Sequence, residues 1–482
     1  MLVADAWSDL RRQNPWWQGG AWRVRDRLLA VLDGAPFHYR PVPLAGIVSG
    51  NVYTLLGPRR VGKSSAVKVF IGDLLDAGYP ATRIVYYACD LLASARELAE
   101  LIAGIYDEAA AGGLLVGPDV PFFLFLDEVQ GVPQWQQAIK NLHDNHRLAQ
   151  DCVVVTGSSS RDLRAGSELL PGRRGRTLDR DRRLFPMSFR NFVGAVEPDL
   201  LLPEAGYHPE DVAGANGPGS AMRQAIERPR VGASLIGLVD LLEQYARVGG
   251  FPGAVADYVR TREVNPATML ELRDVIRGDL NRVHQVRDPT IPLKILERLA
   301  LNLASPVSWQ KIAREATIDA KTVQAYVELF TDAHLFLVVH RWENGSLALR
   351  SEKKVYPVDP LVARLAAEIN GRQRYTPDLT RAVESLLAVG LFRASGADPS
   401  AAFGVQQSVF YYRSTSNREV DFLVGERRTP FESKYAESVS RRDVQVMEQT
   451  FGRGVLATKN QLDLNGKTVL IPCAVLLCML DG

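Results

Sequence analysis

The stretch Gly57-Pro-Arg-Arg-Val-Gly62-Lys63-Ser64 constrains this chain more than any other part of its sequence. Its glycines, lysine and serine stand at the spacing of a phosphate-binding loop. The flanks also suit such a loop, with the β-rich run Asn51–Leu56 before it and the helical stretch Ser64–Ala77 after it. Glycine lets the backbone curl until successive N–H groups point at phosphate oxygens, and the helix that follows presents its positive end. Gly57, Pro58, Arg59, Arg60, Val61, Gly62, Lys63, Ser64 and Ser65 are therefore expected to cradle a nucleotide. Lys63 would reach the β- and γ-phosphates, and the Ser64 hydroxyl would hold Mg2+.

From residue 51 to 156, short apolar runs alternate with helical stretches. Ile84–Ala88, Phe122–Leu126 and Cys152–Thr156 read as strands, while Ser94–Ala110 and Gln134–Gln150 read as helices. Continuously apolar strands separated by helices predict a parallel α/β sheet with its ligand at the carboxyl ends of the strands. Two acids, Asp127 and Glu128, close the third run. Asp127 is expected to hold Mg2+ through water, and Glu128 to orient and deprotonate an attacking water, because phosphoryl transfer depends on placement and charge neutralisation. At the end of the fourth run Thr156 or Ser158 would reach the γ-phosphate or its water; the alternative is a turn built of small residues.

Residues 161–190 carry nine arginines against four acids. In the part Pro171-Gly-Arg173-Arg174-Gly-Arg176, one arginine, Arg173 first, could act in trans on a neighbouring subunit's γ-phosphate within a homo-oligomer. The other readings are contacts to DNA phosphates and a solvated face.

Composition narrows the remaining choices. Of 482 residues 46% are hydrophobic, and 57 Lys+Arg against 55 Asp+Glu leave a net charge of +2, so any nucleic-acid contact must rest on a local patch. Four cysteines without zinc spacing are expected to be buried thiols. No uninterrupted apolar run is long enough to span a membrane and no leader pattern opens the chain, which reads as cytoplasmic. Residues 1–45 mix Trp7, Trp16, Trp17 and Trp22 with arginines. These rings could stack on bases, but packing on their own domain is expected.

The second half changes character. Residues 190–285 read as mainly helical, and Trp309–Ala316, Thr317–Asp319 and Ala320–Ala333 form a helix–turn–helix pattern with Ser308 and Asp319 as N-caps. Its second helix would expose Lys321, Gln324, Glu328 and Asp332. That nearly neutral face favours packing or subunit contact over base reading. Further on, Gln407–Val424 and Thr429–Tyr435 read as a hairpin that places Asp421 opposite or diagonal to Glu432. A divalent cation between the two acids would relieve their repulsion, and Lys434, on the face of Glu432, could position water or stabilise developing charge.

Taken together, the phosphate loop, Leu126-Asp-Glu-Val-Gln130, Val155-Thr-Gly-Ser-Ser-Ser160, the Pro-Gly-Arg segment and Leu184-Phe-Pro-Met-Ser-Phe-Arg-Asn-Phe192 resemble a prokaryotic AAA+-like ATPase family. Tyr245-Ala-Arg-Val-Gly-Gly-Phe-Pro252 looks like its helical lid. The resemblance implies an α/β P-loop ATPase with lid, winged helix and a C-terminal α+β restriction-endonuclease-like domain. The implied layout is an N-terminal segment 1–45, an ATPase core 46–190, a lid 191–285, a winged helix 286–370 and a nuclease-like domain 371–482. ATP and Mg2+ are the implied ligands and DNA the implied partner. Asp421, Glu432 and Lys434 resemble the core of PD-(D/E)XK nucleases, although Val420 stands where proline is usual. Glu384 matches the additional metal-binding acid of that family. The expected function is ATP hydrolysis coupled to metal-dependent DNA cleavage; the alternative is an ATP-regulated switch whose C-terminal domain binds DNA or protein without cleaving.

Overall fold

The computed structural model describes residues 4–112, 120–145, 148–157, 163, 169–170, 172–177, 179–213, 218–227, 229–281, 288, 290–343, 345–348, 350–371, 375–376, 378–396, 408–415 and 417–481. Two compact units divide the chain, residues 1–185 and 186–482.

In the first unit β1 (Asn51–Leu56), β2 (Ile84–Ala88), β3 (Phe123–Asp127), β4 (Cys152–Thr156) and β5 (Asp181–Arg183) form one sheet in the order β2-β3-β4-β1-β5. All neighbours run parallel. Burial on both faces explains the unbroken apolar runs. Alternate residues of each strand feed two separate cores. Val52, Val85, Leu124 and Val153 enter one, and Tyr53, Ile84, Phe123 and Val154 enter the other.

The N-terminal segment closes the open edge of β2. Trp16 and Trp17 donate their indole N–H groups to the Ile84 carbonyl at 3.0 and 2.9 Å. Asn14, fully buried, donates to the Tyr86 carbonyl at 2.8 Å and accepts from the Tyr86 N–H at 2.7 Å. The Ala88 N–H reaches Gln13 Oε1 at 2.8 Å. Side chains thus supply the partners that a sixth strand would have supplied, which blunts an edge otherwise open to pairing with another chain. These tryptophans pack on their own domain.

One glycine, Gly250, locks a corner of the second unit. The Met187 N–H donates to the Gly250 carbonyl at 2.7 Å, and the Tyr245 hydroxyl donates to the Met187 carbonyl at 2.6 Å. The Gly250 N–H meets Asp359 Oδ2 at 2.6 Å, while Asp359 Oδ1 caps the helix Pro360–Glu368 through the Leu361 N–H at 2.8 Å. A Cβ on Gly250 would lie 2.0 Å from the Met187 carbonyl oxygen, so only glycine fits. The Gly-Gly-Phe-Pro run is therefore a packing joint.

The helices Trp309–Ala316 and Ala320–Asp332 form as the sequence pattern predicts. The Ser308 and Asp319 side chains accept from the Lys311 and Thr322 N–H groups, and Val323, Val327 and Phe330 are buried. Eight strands follow: β6 (Phe336–Glu343), β7 (Ser346–Leu347), β8 (Lys353–Pro357), β9 (Val409–Arg413), β10 (Glu419–Val424), β11 (Thr429–Lys434), β12 (Gly454–Thr458) and β13 (Thr468–Pro472). They share one mixed sheet in the order β13-β12-β11-β10-β9-β6-β7, with β8 on β6. Parallel pairing of β6 with β9, His340 opposite Phe410, carries the sheet across residue 370. The expected boundary there thus cuts through a sheet, because the hairpin after the helix pair supplies strands to the C-terminal layer. All four cysteines are buried free thiols. Among the described residues no helix is long and apolar enough to cross a membrane.

Candidate nucleotide site and a buried carboxylate–lysine cluster

The phosphate loop leaves β1 at Gly57 and enters the helix Lys63–Asp76 with Gly62 as its N-cap. Gly57 has φ +154°, and a Cβ there would lie 2.2 Å from the Leu184 carbonyl oxygen, so the loop start is closed to any side chain. Pro58 and Val61 are buried, Arg59 and the Ser64 and Ser65 pair are half-buried, and Arg60 is exposed. Lys63 is 5% exposed, and its ammonium donates to the loop carbonyls of Gly57 and Pro58 at 2.9 and 3.1 Å. A charged lysine is held within the curl of the loop at the positive end of a helix, where phosphate oxygens are favoured.

The sheet order sets β4 between β1 and β3, so Thr156 and Asp127 end neighbouring strands on the loop's side of the sheet. The Asp127 carboxylate is 2% exposed. Its Oδ2 accepts from the Tyr86 hydroxyl at 2.6 Å and its Oδ1 from the Thr156 hydroxyl. Thr156 Oγ1 in turn accepts from the Glu128 N–H at 3.1 Å. Burial, and then Asp127 itself, hold the Tyr86 phenol far above its ordinary pKa, so it remains a donor. Oδ1 also accepts from the Glu128 N–H at 3.2 Å, so the further lone pair that remains belongs to Oδ2. Asp127 and the Ser64 hydroxyl are hard oxygen donors of the kind Mg2+ takes.

Glu128 follows in the left-handed region, φ +52°, and its carboxylate accepts from the Gln130 side-chain amide. A left-handed non-glycine residue costs on the order of 1–3 kcal/mol and recurs at functional sites. Tyr86, Gln130 and Thr156 thus orient the acid pair. Tyr86 escaped the sequence reading because it lies on another strand; its signal was a polar-tipped residue in an otherwise apolar run. Ser158 lies outside the described residues.

Arg173 is engaged within its own chain. Its Nε and Nη2 donate to the two carboxylate oxygens of Asp144 at 2.6 and 3.0 Å. Arg174 pairs likewise with Asp181, at 2.7 and 3.3 Å. Of the three candidate trans arginines only Arg176 is exposed. A forked partner holds Arg173 within its own chain, and a trans contact would have to break that pair.

In the second unit β10 and β11 pair with Phe422 opposite Phe431, and the same register one residue on sets Asp421 against Glu432. The Ser433 N–H donates to Asp421 Oδ2 at 3.0 Å. Glu384, on the helix Leu379–Ala394, joins them, and so does Glu419. The lysine of this cluster is Lys354 on β8, whose ammonium lies 2.6 Å from Glu419, 2.8 Å from Asp421 and 3.0 Å from Glu384. Lys434 instead pairs with Asp443 at 2.9 Å, its side chain 42% exposed. Asp443 sits in the first turn of the helix Arg441–Phe451, nine residues on, and draws Lys434 to it.

Burial and then Asp421 push the Glu432 and Glu384 carboxyls well above the usual carboxylate range. Burial opposes the Lys354 charge, but Asp421, Glu384 and Glu419 outweigh it and keep the ammonium protonated. Among the described residues no three His, Cys, Asp or Glu side chains are arranged to hold a metal ion. Of the expected metal ligands, Asp421 and Glu384 both turn to the Lys354 ammonium, which stands between them, so as arranged they do not fit a divalent metal.

Residues 49–193 match a family model described as an AAA domain. The chain carries an AAA-type ATPase domain. Residues 239–373 and 382–476 match two models described as domains of unknown function, DUF8612 and DUF4143. An uncharacterized protein of Methanocaldococcus jannaschii is 22% identical over 418 residues, spanning 84% of this chain and 79% of that protein. Among solved structures, the ORC2 protein of Aeropyrum pernix is 11% identical, with a TM-score of 0.34, over 72% of this chain and 89% of that one. Cdc6p of Pyrobaculum aerophilum is 16% identical, with a TM-score of 0.23, over 75% and 96%. The AAA-type domain contains the phosphate loop, Asp127, Glu128 and Thr156, while the carboxylate–lysine cluster lies in the DUF4143 region, to which β8 contributes from the preceding segment.

Proposed function

We propose that this protein binds and hydrolyses ATP with Mg2+, and that hydrolysis switches a C-terminal module that binds its partner without cleaving it. One observation carries the hydrolytic part. A fully framed acid pair, Asp127 oriented by Tyr86 and Thr156 and Glu128 restrained by Gln130, ends the strand two places from the one that feeds the phosphate loop. Lys63 and the loop amides hold the phosphates, Asp127 and Ser64 hold the Mg2+ that neutralises them, and Glu128 aligns the attacking water and takes its proton. A homo-oligomer with a trans arginine fits this scheme, and Arg176 is the exposed candidate.

DNA is the first partner to test; the helix pair 309–332, which we read as a winged helix with β6 and β8 as its wing, presents a nearly neutral face and serves packing or subunit contact in this reading. The reading without cleavage is supported by the withdrawal of Lys434 to Asp443 and by the hold of Lys354 on three carboxylates. Cleavage keeps one observation in its favour, the facing of Asp421 and Glu432 beside Glu384. Two measurements test the proposal together: ATP binding by wild type and Lys63→Ala, and incubation with single- and double-stranded DNA and RNA in Mg2+ or Mn2+, with and without ATP. Loss of binding in Lys63→Ala and intact nucleic acid throughout are expected. Asp421-dependent cutting would establish the nuclease reading instead.

A further inference from the structure

We infer that Lys354 is a built-in cation that takes the place of a divalent metal in the carboxylate cluster, so that the C-terminal module assembles without metal. An ammonium has three N–H donors. Lys354 has three carboxylates within hydrogen-bond distance, Glu419 Oε1 at 2.6 Å, Asp421 Oδ1 at 2.8 Å and Glu384 Oε1 at 3.0 Å. The donors and acceptors match one to one, and the lysine is 1% exposed.

The carboxylates are tied from behind as well. Tyr356, two residues along β8, donates to the same Glu384 oxygen at 2.7 Å, and the Ser433 N–H takes the second oxygen of Asp421 at 3.0 Å. A divalent ion placed among these acids would have to expel the ammonium from a buried position. A buried charge stripped of its partners is strongly disfavoured. Three elements that the chain must bring together, β8, β10 and the helix Leu379–Ala394, are thus joined by one side chain. The sequence pattern of two acids and a lysine survives here with a different lysine and a different use: a structural cross-link in place of a water-activating site.

This inference does not rest on the nucleotide reading, and its test uses neither ATP nor activity. Binding of Mn2+ to the full-length, nucleotide-free protein is followed by electron paramagnetic resonance of the free ion. Wild type, Asp421→Asn, Lys354→Ala and the double variant are compared, with thermal melts in Mn2+ and in chelator. Wild type and Asp421→Asn should bind Mn2+ alike, and chelator should not lower the wild-type melt. Lys354→Ala, with its carboxylates released, should gain a Mn2+ site that the double variant loses. Should Lys354→Ala fold only when Mn2+ is added, that too supports the inference. An Asp421-dependent Mn2+ site in wild type would overturn it. So would a Lys354→Ala protein that folds as well as wild type in chelator and gains no site.

Discussion

Replacing Asn14 by leucine tests how the N-terminal segment holds the ATPase sheet. Leucine matches asparagine in size but offers neither donor nor acceptor, so the Tyr86 N–H and C=O lose partners at 2.7 and 2.8 Å. The Leu10 carbonyl keeps its bond from the Asn14 backbone N–H at 3.1 Å and is not orphaned. Each buried unsatisfied group costs about 1–3 kcal/mol, so two cost about 3 kcal/mol once some relaxation is allowed. For a unit of this size roughly 2–4 °C of melting temperature is lost per kcal/mol, which predicts a fall of about 6–12 °C. The assay is a thermal melt of the full chain, reading the transition that added ATP shifts, since a ligand that binds only the folded state marks its own unit. Trp17→Phe serves as the comparison, because Trp16 still donates to Ile84 and the expected loss is smaller. If Asn14→Leu melted with wild type, water or another chain would be satisfying β2, and edge closure by residues 13–17 would be wrong.

Tyr86→Phe removes the hydroxyl that orients Asp127 and leaves the ring in its core. Groups behind a metal-binding side chain typically contribute about 10–100-fold to metal affinity or activity, so the Mg2+ concentration for half-maximal ATPase should rise about tenfold. Unchanged Mg2+ dependence would make the bond mere packing. Asp359 gives a pH dependence. Burial lifts its carboxyl from 3.8 to about 6, so the folded unit holds a proton that the unfolded chain has released. Its contribution to stability is complete below about pH 4 and is lost as pH rises through about 6. Melting temperature measured from pH 4 to 7 should therefore carry a falling component in wild type that Asp359→Asn lacks. Parallel pH curves for the two proteins would contradict this.

How much was legible in sequence followed the range of the interactions. The phosphate loop and its strands are contiguous, and β1, β2 and β4 occupy the spans their residue types predict, because burial on both faces leaves an unmistakable apolar run. The facing of Asp421 and Glu432 was also legible, since a short turn sets a hairpin's register. Lys354 was not. Its partners lie 30 to 67 residues away, and it sits on a strand assigned to the preceding module. Alternation pointed to Lys434 as the nearest lysine on the right face, but local periodicity carries no information about a helix cap at Asp443. The tryptophans and Asn14 were similarly opaque: sequence marks them as packing residues without naming the strand they close.

The most direct test of the central claim is a paired measurement on Glu128→Gln: equilibrium binding of ATP and single-turnover hydrolysis, both with Mg2+. Glutamine keeps the shape of the side chain but cannot take a proton from water, and Lys63 and the loop amides are untouched. The account predicts ATP affinity close to wild type with hydrolysis reduced by about 100-fold or more, the scale of a lost general base. Hydrolysis at the wild-type rate would place the catalytic base elsewhere and contradict the assignment of Glu128.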